Sequence, residues 1–233
     1  PAAPREKSVA EPPRLCYPIE KRGRGREPMK TILLHGLGQG PESWAAVRAE
    51  LGEGPDLLSP ALTGLFQNGE VSYPSLFRGL EDYCGDLPGP LPPCGLSLGG
   101  VLALDYALRH PDRVDRLALI GAQFRMPTGL LRVQDLAFRL MPAGMFRSMG
   151  LPKAGVLRLT RSMAALDFQA RLGELRCPVL VACGEKDRAN RAAALQMKEQ
   201  IPGAQLLLLE GAGHEANVDQ PQVLGRALRT FLE

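Results

Sequence analysis

A chain of 233 residues suits one α/β-sized domain with a buried core, and 45% hydrophobic against 23% charged residues excludes wholesale disorder and fibrous repeats. The net charge of +3 resides in residues 1–28, where seven basic side chains face four acidic ones; the neutral remainder excludes a basic DNA-binding domain, and 5% aromatics supply no stacking platform for nucleic acid. Five irregularly spaced cysteines (Cys16, Cys84, Cys94, Cys177, Cys183) fit neither a disulfide framework nor a zinc site, and with no bilayer-length apolar stretch or signal-peptide core a cytoplasmic location without stable membrane insertion is expected.

Residues 1–28 are rich in Pro, Arg and Glu, lack apolar periodicity, and read as a disordered leader, a cloning remnant or translated upstream sequence, with Met29 as a start. The alternative is an N-terminal strand pair trimmed at its start, resting on Arg14 to Ile19. Residues 29–233 then alternate short apolar runs, glycine-rich turns and helices. Thr31 to Leu34 reads as a buried strand ending in His35-Gly36-Leu37-Gly38-Gln39-Gly40, and Ser43 to Leu51 as a helix. Asp56 to Leu58 is a weak strand, Ser75 to Tyr83 a helix, and Leu91 to Gly95 a strand shortened by Pro92 and Pro93. Leu98 to Arg109 forms a helix stopped by Pro111, followed by a strand over Val114 to Ile120. Beyond it come a strand over Pro178 to Cys183, a helix over Asn190 to Gln200, a strand over Ala204 to Leu209 and a helix over Gln222 to Leu232. This alternation predicts a mostly parallel sheet with helices on both faces.

About residues 123–172 break the rhythm and hold five of the seven methionines: Met126, Met141, Met145, Met149 and Met163. They read as a short helical cap over the carboxyl edge of the sheet, where ligands of open α/β sheets bind. In Thr128 to Met141 a broad apolar side is expected from Leu130, Leu131, Val133, Leu136, Phe138, Leu140 and Met141, with Arg132, Asp135 and Arg139 opposite. Met126, Met141 and Met145 are candidate substrate-binding residues, since an adaptable thioether lining suits varied acyl chains. The segment from Gly121 to Ala170 carries a net charge of +5, which suggests either a solvated face or a preference for anionic substrates or membrane surfaces.

The strongest local signal is Gly95-Leu96-Ser97-Leu98-Gly99-Gly100, between a short strand and a long helix. A serine in such a turn is lifted clear of the sheet, at a helix start that favours developing negative charge. Its hydroxyl needs a base. Of the three histidines, His110 ends a helix before Pro111, and His35 ends the first strand and organises its turn. His214, in Gly211-Ala212-Gly213-His214 after the last strand, is the candidate base. Asp187 follows the strand Pro178 to Cys183 and would orient the imidazole, with Glu185 as competitor and Asp167 and Asp219 in reserve.

The order Ser97, Asp187, His214 resembles that of the α/β-hydrolase superfamily, particularly its small bacterial, esterase-like serine hydrolases. The similarity rests also on Leu33-Leu34-His35-Gly36-Leu37-Gly38 and Cys183-Gly184-Glu185-Lys186-Asp187. It implies an α/β-hydrolase fold and an oxyanion hole built from the backbone N–H groups of Leu37 and Leu98. It implies acyl transfer on a small-molecule ester or thioester, with no metal or organic cofactor. The same fold also serves carbon–carbon bond hydrolysis, lyase and acyltransferase chemistry and non-catalytic ligand reception. Members cleaving carbon–carbon bonds often have Asn where this chain has Leu96, and the quinone-pathway lyases usually have Arg where it has Val101. Dehalogenases and epoxide hydrolases use an aspartate nucleophile, which Ser97 excludes.

Overall fold

The computed structural model describes residues 30–52 and 56–233. The leader read into residues 1–28, with its alternative strand pair resting on Arg14 to Ile19, lies outside them.

Among the described residues six strands form one parallel sheet: β1 (Thr31–Leu34), β2 (Leu57–Leu58), β3 (Pro93–Leu96), β4 (Leu117–Ile120), β5 (Val179–Gly184) and β6 (Gln205–Leu209), in the spatial order β2-β1-β3-β4-β5-β6. β1, β3, β4 and β5 are buried along their whole length, as strands covered on both faces must be. Successive side chains feed opposite layers: Ile32 and Leu34 join one core cluster and Leu33 the other. The first cluster lies beneath α2 (Tyr73–Gly85), α3 (Leu98–Arg109) and α6 (Arg191–Gln200); the second lies against α1 (Ala45–Leu51) and α8 (Pro221–Leu232). Ser72 caps α2 by accepting from the Ser75 N–H, and Pro221 opens α8 at a position with no intrahelical donor to lose.

The strand expected over Leu91 to Gly95 is displaced to Pro93–Leu96. Proline lacks an N–H, but the Pro92 carbonyl accepts from Ile32 N at 3.3 Å, so Pro92 meets β1 through its acceptor. Likewise Val114 makes only an isolated bridge to Leu91, and the regular strand begins at Leu117.

Between β4 and β5 stand two helices, α4 (Thr128–Leu140) and α5 (Lys153–Met163), with 3-10 turns over Ala143–Met149 and Gln169–Glu174. The apolar side expected on α4 is narrower than its composition suggests. Leu131 and Phe138, with Met141 just beyond the helix, pack against the core, whereas Leu136 and Leu140 are 59% and 78% exposed; the Leu130 and Val133 side chains lie outside the description. At about 100° per residue, Leu136 and Leu140 fall on the opposite side of the helix from Leu131 and Phe138. Among the described residues no helix is long and apolar enough to cross a membrane.

Candidate active site

In a parallel sheet every strand delivers its following loop to the same edge. Leu37 follows β1, Ser97 follows β3, Gly121 follows β4, Asp187 follows β5, and His214 follows β6. This topology brings together side chains up to 117 positions apart: Ser97 Oγ lies 3.0 Å from His214 Nε2, and His214 Nδ1 lies 2.8 Å from Asp187 Oδ2.

Ser97 sits at φ 52°, ψ −113°, a conformation L-residues avoid and one that costs about 1–3 kcal/mol. Its N–H donates to the Ile120 carbonyl at 2.9 Å, and its carbonyl takes the Val101 N–H as α3 begins, so both flanks hold the strained residue in place. The turn requires small neighbours. A Cβ on Gly95 would overlap the Gly99 backbone, and one on Gly99 would overlap the Leu34 carbonyl.

Asp187 is 5% exposed. Burial alone would raise its pKa, but hydrogen bonds from His214 and Asn190 outweigh this and hold it below the usual aspartate value. His214 is shifted up, because its hydrogen bond to Asp187 favours the charged form more than burial opposes it. Such a pair can accept a proton from the Ser97 hydroxyl and stabilise the resulting imidazolium.

Ser97, Asp187 and His214 open onto a cavity of about 420 Å³, which Leu37 and Leu98 also line. As the first residue of α3, Leu98 carries an N–H with no partner inside the helix. The far wall comes from Met126, Leu131, Phe138, Met149 and Met163. Among the described residues no group of three or more His, Cys, Asp or Glu side chains could hold a metal ion.

A model of the Alpha/beta hydrolase family matches residues 31–227. The chain belongs to the alpha/beta hydrolase family. It is 29% identical, over 82% of its length and 93% of the relative's, to a pimeloyl-[acyl-carrier protein] methyl ester esterase of Aromatoleum aromaticum. It is 30% identical, over 59% of its length and 65% of the relative's, to a putative carbamate hydrolase of Agrobacterium fabrum. Among solved structures, a thermophilic esterase from Thermogutta terrifontis superposes with a TM-score of 0.73 at 25% identity, covering 88% of this chain and 89% of that one. The chain is therefore a hydrolytic enzyme of alpha/beta hydrolase fold.

In this hydrolase the remaining histidines have other partners. His35 Nδ1 bonds the Gly36 carbonyl at 2.9 Å, and its Nε2 accepts the Leu62 N–H at 3.1 Å, an arrangement of the neutral ring; burial lowers its pKa. His110 Nε2 meets Glu81 at 2.8 Å. The competing acids lie elsewhere: Glu185 accepts from Gly211 N, Asp219 from Gly213 N, and Asp167 from Gln169 N.

Two of the three methionines singled out for substrate are not in the cavity wall. Met126 lines it, but Met141 follows the end of α4, where its carbonyl accepts from Lys153 Nζ at 2.7 Å, and Met145 is 54% exposed on the 3-10 turn beyond Pro142. Met149, which also packs over Gly38, and Met163 line the cavity instead. Their positions depend on how the 3-10 turn and α5 fold back, which helical periodicity in α4 does not report.

Three further residues escaped sequence reading. Asn190 donates from Nδ2 to both Asp187 oxygens, at 3.0 and 2.8 Å; Gln123 donates to Asn190 Oδ1 at 2.8 Å. Gly121 has φ 52°, and a Cβ there would stand 3.3 Å from His214 Nδ1 and 3.4 Å from Asp187 Oδ2. The available signal for Asn190 was its place three residues after Asp187 at a helix start, where an amide can reach back.

Proposed function

We propose that this hydrolase cleaves carboxylic esters or thioesters by a serine mechanism through an acyl-enzyme. The observation that carries the reading is the relay from Ser97 Oγ to His214 Nε2 at 3.0 Å and from His214 Nδ1 to Asp187 Oδ2 at 2.8 Å, at the mouth of a largely apolar cavity. Ser97 attacks the acyl carbon while His214 takes its proton, and His214 then passes that proton to the departing alcohol or thiol. Water follows by the same route: His214 removes its proton, the hydroxide attacks the acyl carbon, and Ser97 leaves with the proton returned.

The oxyanion of each tetrahedral intermediate falls to the N–H groups of Leu37 and Leu98, each worth about 2.7–4 kcal/mol in such a role. Asp187 holds the imidazole with its proton on Nδ1, leaving Nε2 free to accept. The names of the two esterases in the comparison support an ester substrate.

Steady-state hydrolysis of p-nitrophenyl and thioester acyl series tests this reading with Ser97→Ala, His214→Ala and their double variant. Each single variant is expected to lose kcat by roughly 10⁴-fold or more, with the double little worse, because the groups act as a unit. Multiplicative losses would separate His214 from Ser97 chemically.

A further inference from the structure

We propose that the cavity beside Ser97 selects uncharged acyl groups that carry a hydrogen-bond donor, such as a hydroxyl, and that Gln134 of α4 is the residue that reads this group. The proposal rests on the acyl-transfer reading above and names the substrate class for the same site.

The polar atoms of the cavity wall are unevenly spent. Gln123 lines the cavity, but its Nε2 hydrogens go to the Ala189 carbonyl at 3.0 Å and to Asn190 Oδ1 at 2.8 Å, leaving its own Oε1 as an acceptor. Both partners are acceptors, since Asn190 turns its Nδ2 toward Asp187, so the amide orientation of Gln123 is set. Thr160 has one hydroxyl hydrogen, engaged by the Val156 and Leu157 carbonyls at 3.1 and 3.2 Å; only its lone pairs can face a ligand. Gln134 is different. Among the described residues its amide meets no protein partner, so apart from the backbone N–H groups of Leu37 and Leu98 beside Ser97, its side chain is the one in the described wall that offers free N–H donors, along with a further acceptor.

No Lys or Arg side chain lines the cavity among the described residues. Several basic side chains above the cavity are engaged elsewhere: Arg139 and Arg161 both pair with Asp135, at 2.8 and 2.7 Å, and Arg125 bonds Gln169. Lys153 Nζ is shared between the Arg139 and Met141 carbonyls, at 2.7 Å each. None of these four cations lines the cavity. A carboxylate on the acyl chain would face three acceptor oxygens and the Asp187 charge, with no cation among the described lining residues to offset its desolvation. A hydroxyl can instead donate to one of those oxygens and accept from Gln134.

The test compares kcat/KM for the p-nitrophenyl esters of hexanoate, 3-hydroxyhexanoate, 6-hydroxyhexanoate and adipate, on the unmodified chain, Gln134→Leu and Gln134→Lys, with rates read as ratios to hexanoate within each protein. One hydroxy ester is expected to exceed hexanoate by about fivefold, and adipate to fall at least tenfold below it. Gln134→Leu should bring the hydroxy ratio to about one or less, and Gln134→Lys should raise the adipate ratio, a gain that a merely misfolded variant cannot produce. Adipate equal to or above hexanoate, no favoured hydroxy ester, a hydroxy preference that survives Gln134→Leu, or an adipate ratio unmoved by Gln134→Lys would overturn the proposal. If no ester is hydrolysed and Ser97 takes no fluorophosphonate label, the acyl-transfer reading falls and this proposal with it, a result distinct from hydrolysis in the wrong order.

Discussion

Asn190 Nδ2 stands 2.8 Å from Asp187 Oδ2, the same oxygen that receives His214 Nδ1 at 2.8 Å. The carboxylate is thus clamped on two sides, and Gln123 in turn fixes Asn190. A hydrogen bond to a charged group contributes about 1.5–3 kcal/mol, so Asn190→Leu is expected to lower kcat by roughly tenfold to a hundredfold with KM less affected. The depressed Asp187 pKa stabilises the fold above the unfolded aspartate value, and this contribution is lost as pH falls through the folded one. In Asn190→Leu the folded pKa moves up toward the unfolded one, so this contribution should be smaller and its loss should be complete at higher pH. Melting temperatures from pH 3 to 7 check the second effect, and an unshifted acid limb would remove Asn190 from the relay.

The pH dependence of turnover follows from His214. As the base it must be neutral, and Asp187 raises its pKa above 6.5 despite burial, so kcat/KM should rise with pH through a midpoint above 6.5. Asp187→Asn removes what raises that pKa: the midpoint should move down while the plateau falls by about 10⁴-fold through the wrong tautomer. Glu185→Gln, on an exposed side chain bonded to Gly211 N, should change neither. A plateau that falls for Glu185 and not for Asp187 would exchange their roles.

Gly121 has φ 52° directly beneath the Asp187–His214 pair. Gly121→Ala pays about 1–2 kcal/mol for the left-handed backbone and crowds the imidazole at 3.3 Å. Differential scanning calorimetry should show a fall of roughly 2–8 °C, and kcat should drop more than this modest destabilisation explains. Unchanged kcat at a lowered melting temperature would make the glycine purely architectural.

Chain-length selectivity should depend on the methionines that line the cavity. With about 0.8 kcal/mol gained per buried methylene, kcat/KM rises roughly fourfold per carbon until the cavity is full. Met163→Trp should shorten the preferred acyl chain, whereas Met145→Trp, at a position 54% exposed, should leave the profile alone. The opposite response of these two variants would put the acyl chain on the outer face of the 3-10 turn.

What could be read from the sequence was whatever is encoded locally or by chain order. The helix Leu98–Arg109 declares itself by apolar spacing and by Pro111, and the elbow at Ser97 by its glycines. Asp187 and His214 follow strands of a parallel sheet, so their arrival at the edge that holds Ser97 is a consequence of topology. What could not be read depends on long-range packing. The register of β3 is set by Pro92 accepting from Ile32, and the inward turn of Met149 and Met163 by the path of the chain after Pro142. The amide chain from Gln123 through Asn190 to Asp187 spans loops after two different strands, and no spacing rule announces it.

The most direct measurement of the central claim is intact-mass and peptide-mapping mass spectrometry after brief exposure to a fluorophosphonate. A single adduct on Ser97 is predicted, absent in Ser97→Ala and formed orders of magnitude more slowly in His214→Ala, because the hydroxyl then lacks the base that stands 3.0 Å away. No adduct, an adduct on another residue, or one that forms at an unchanged rate without His214 would contradict it.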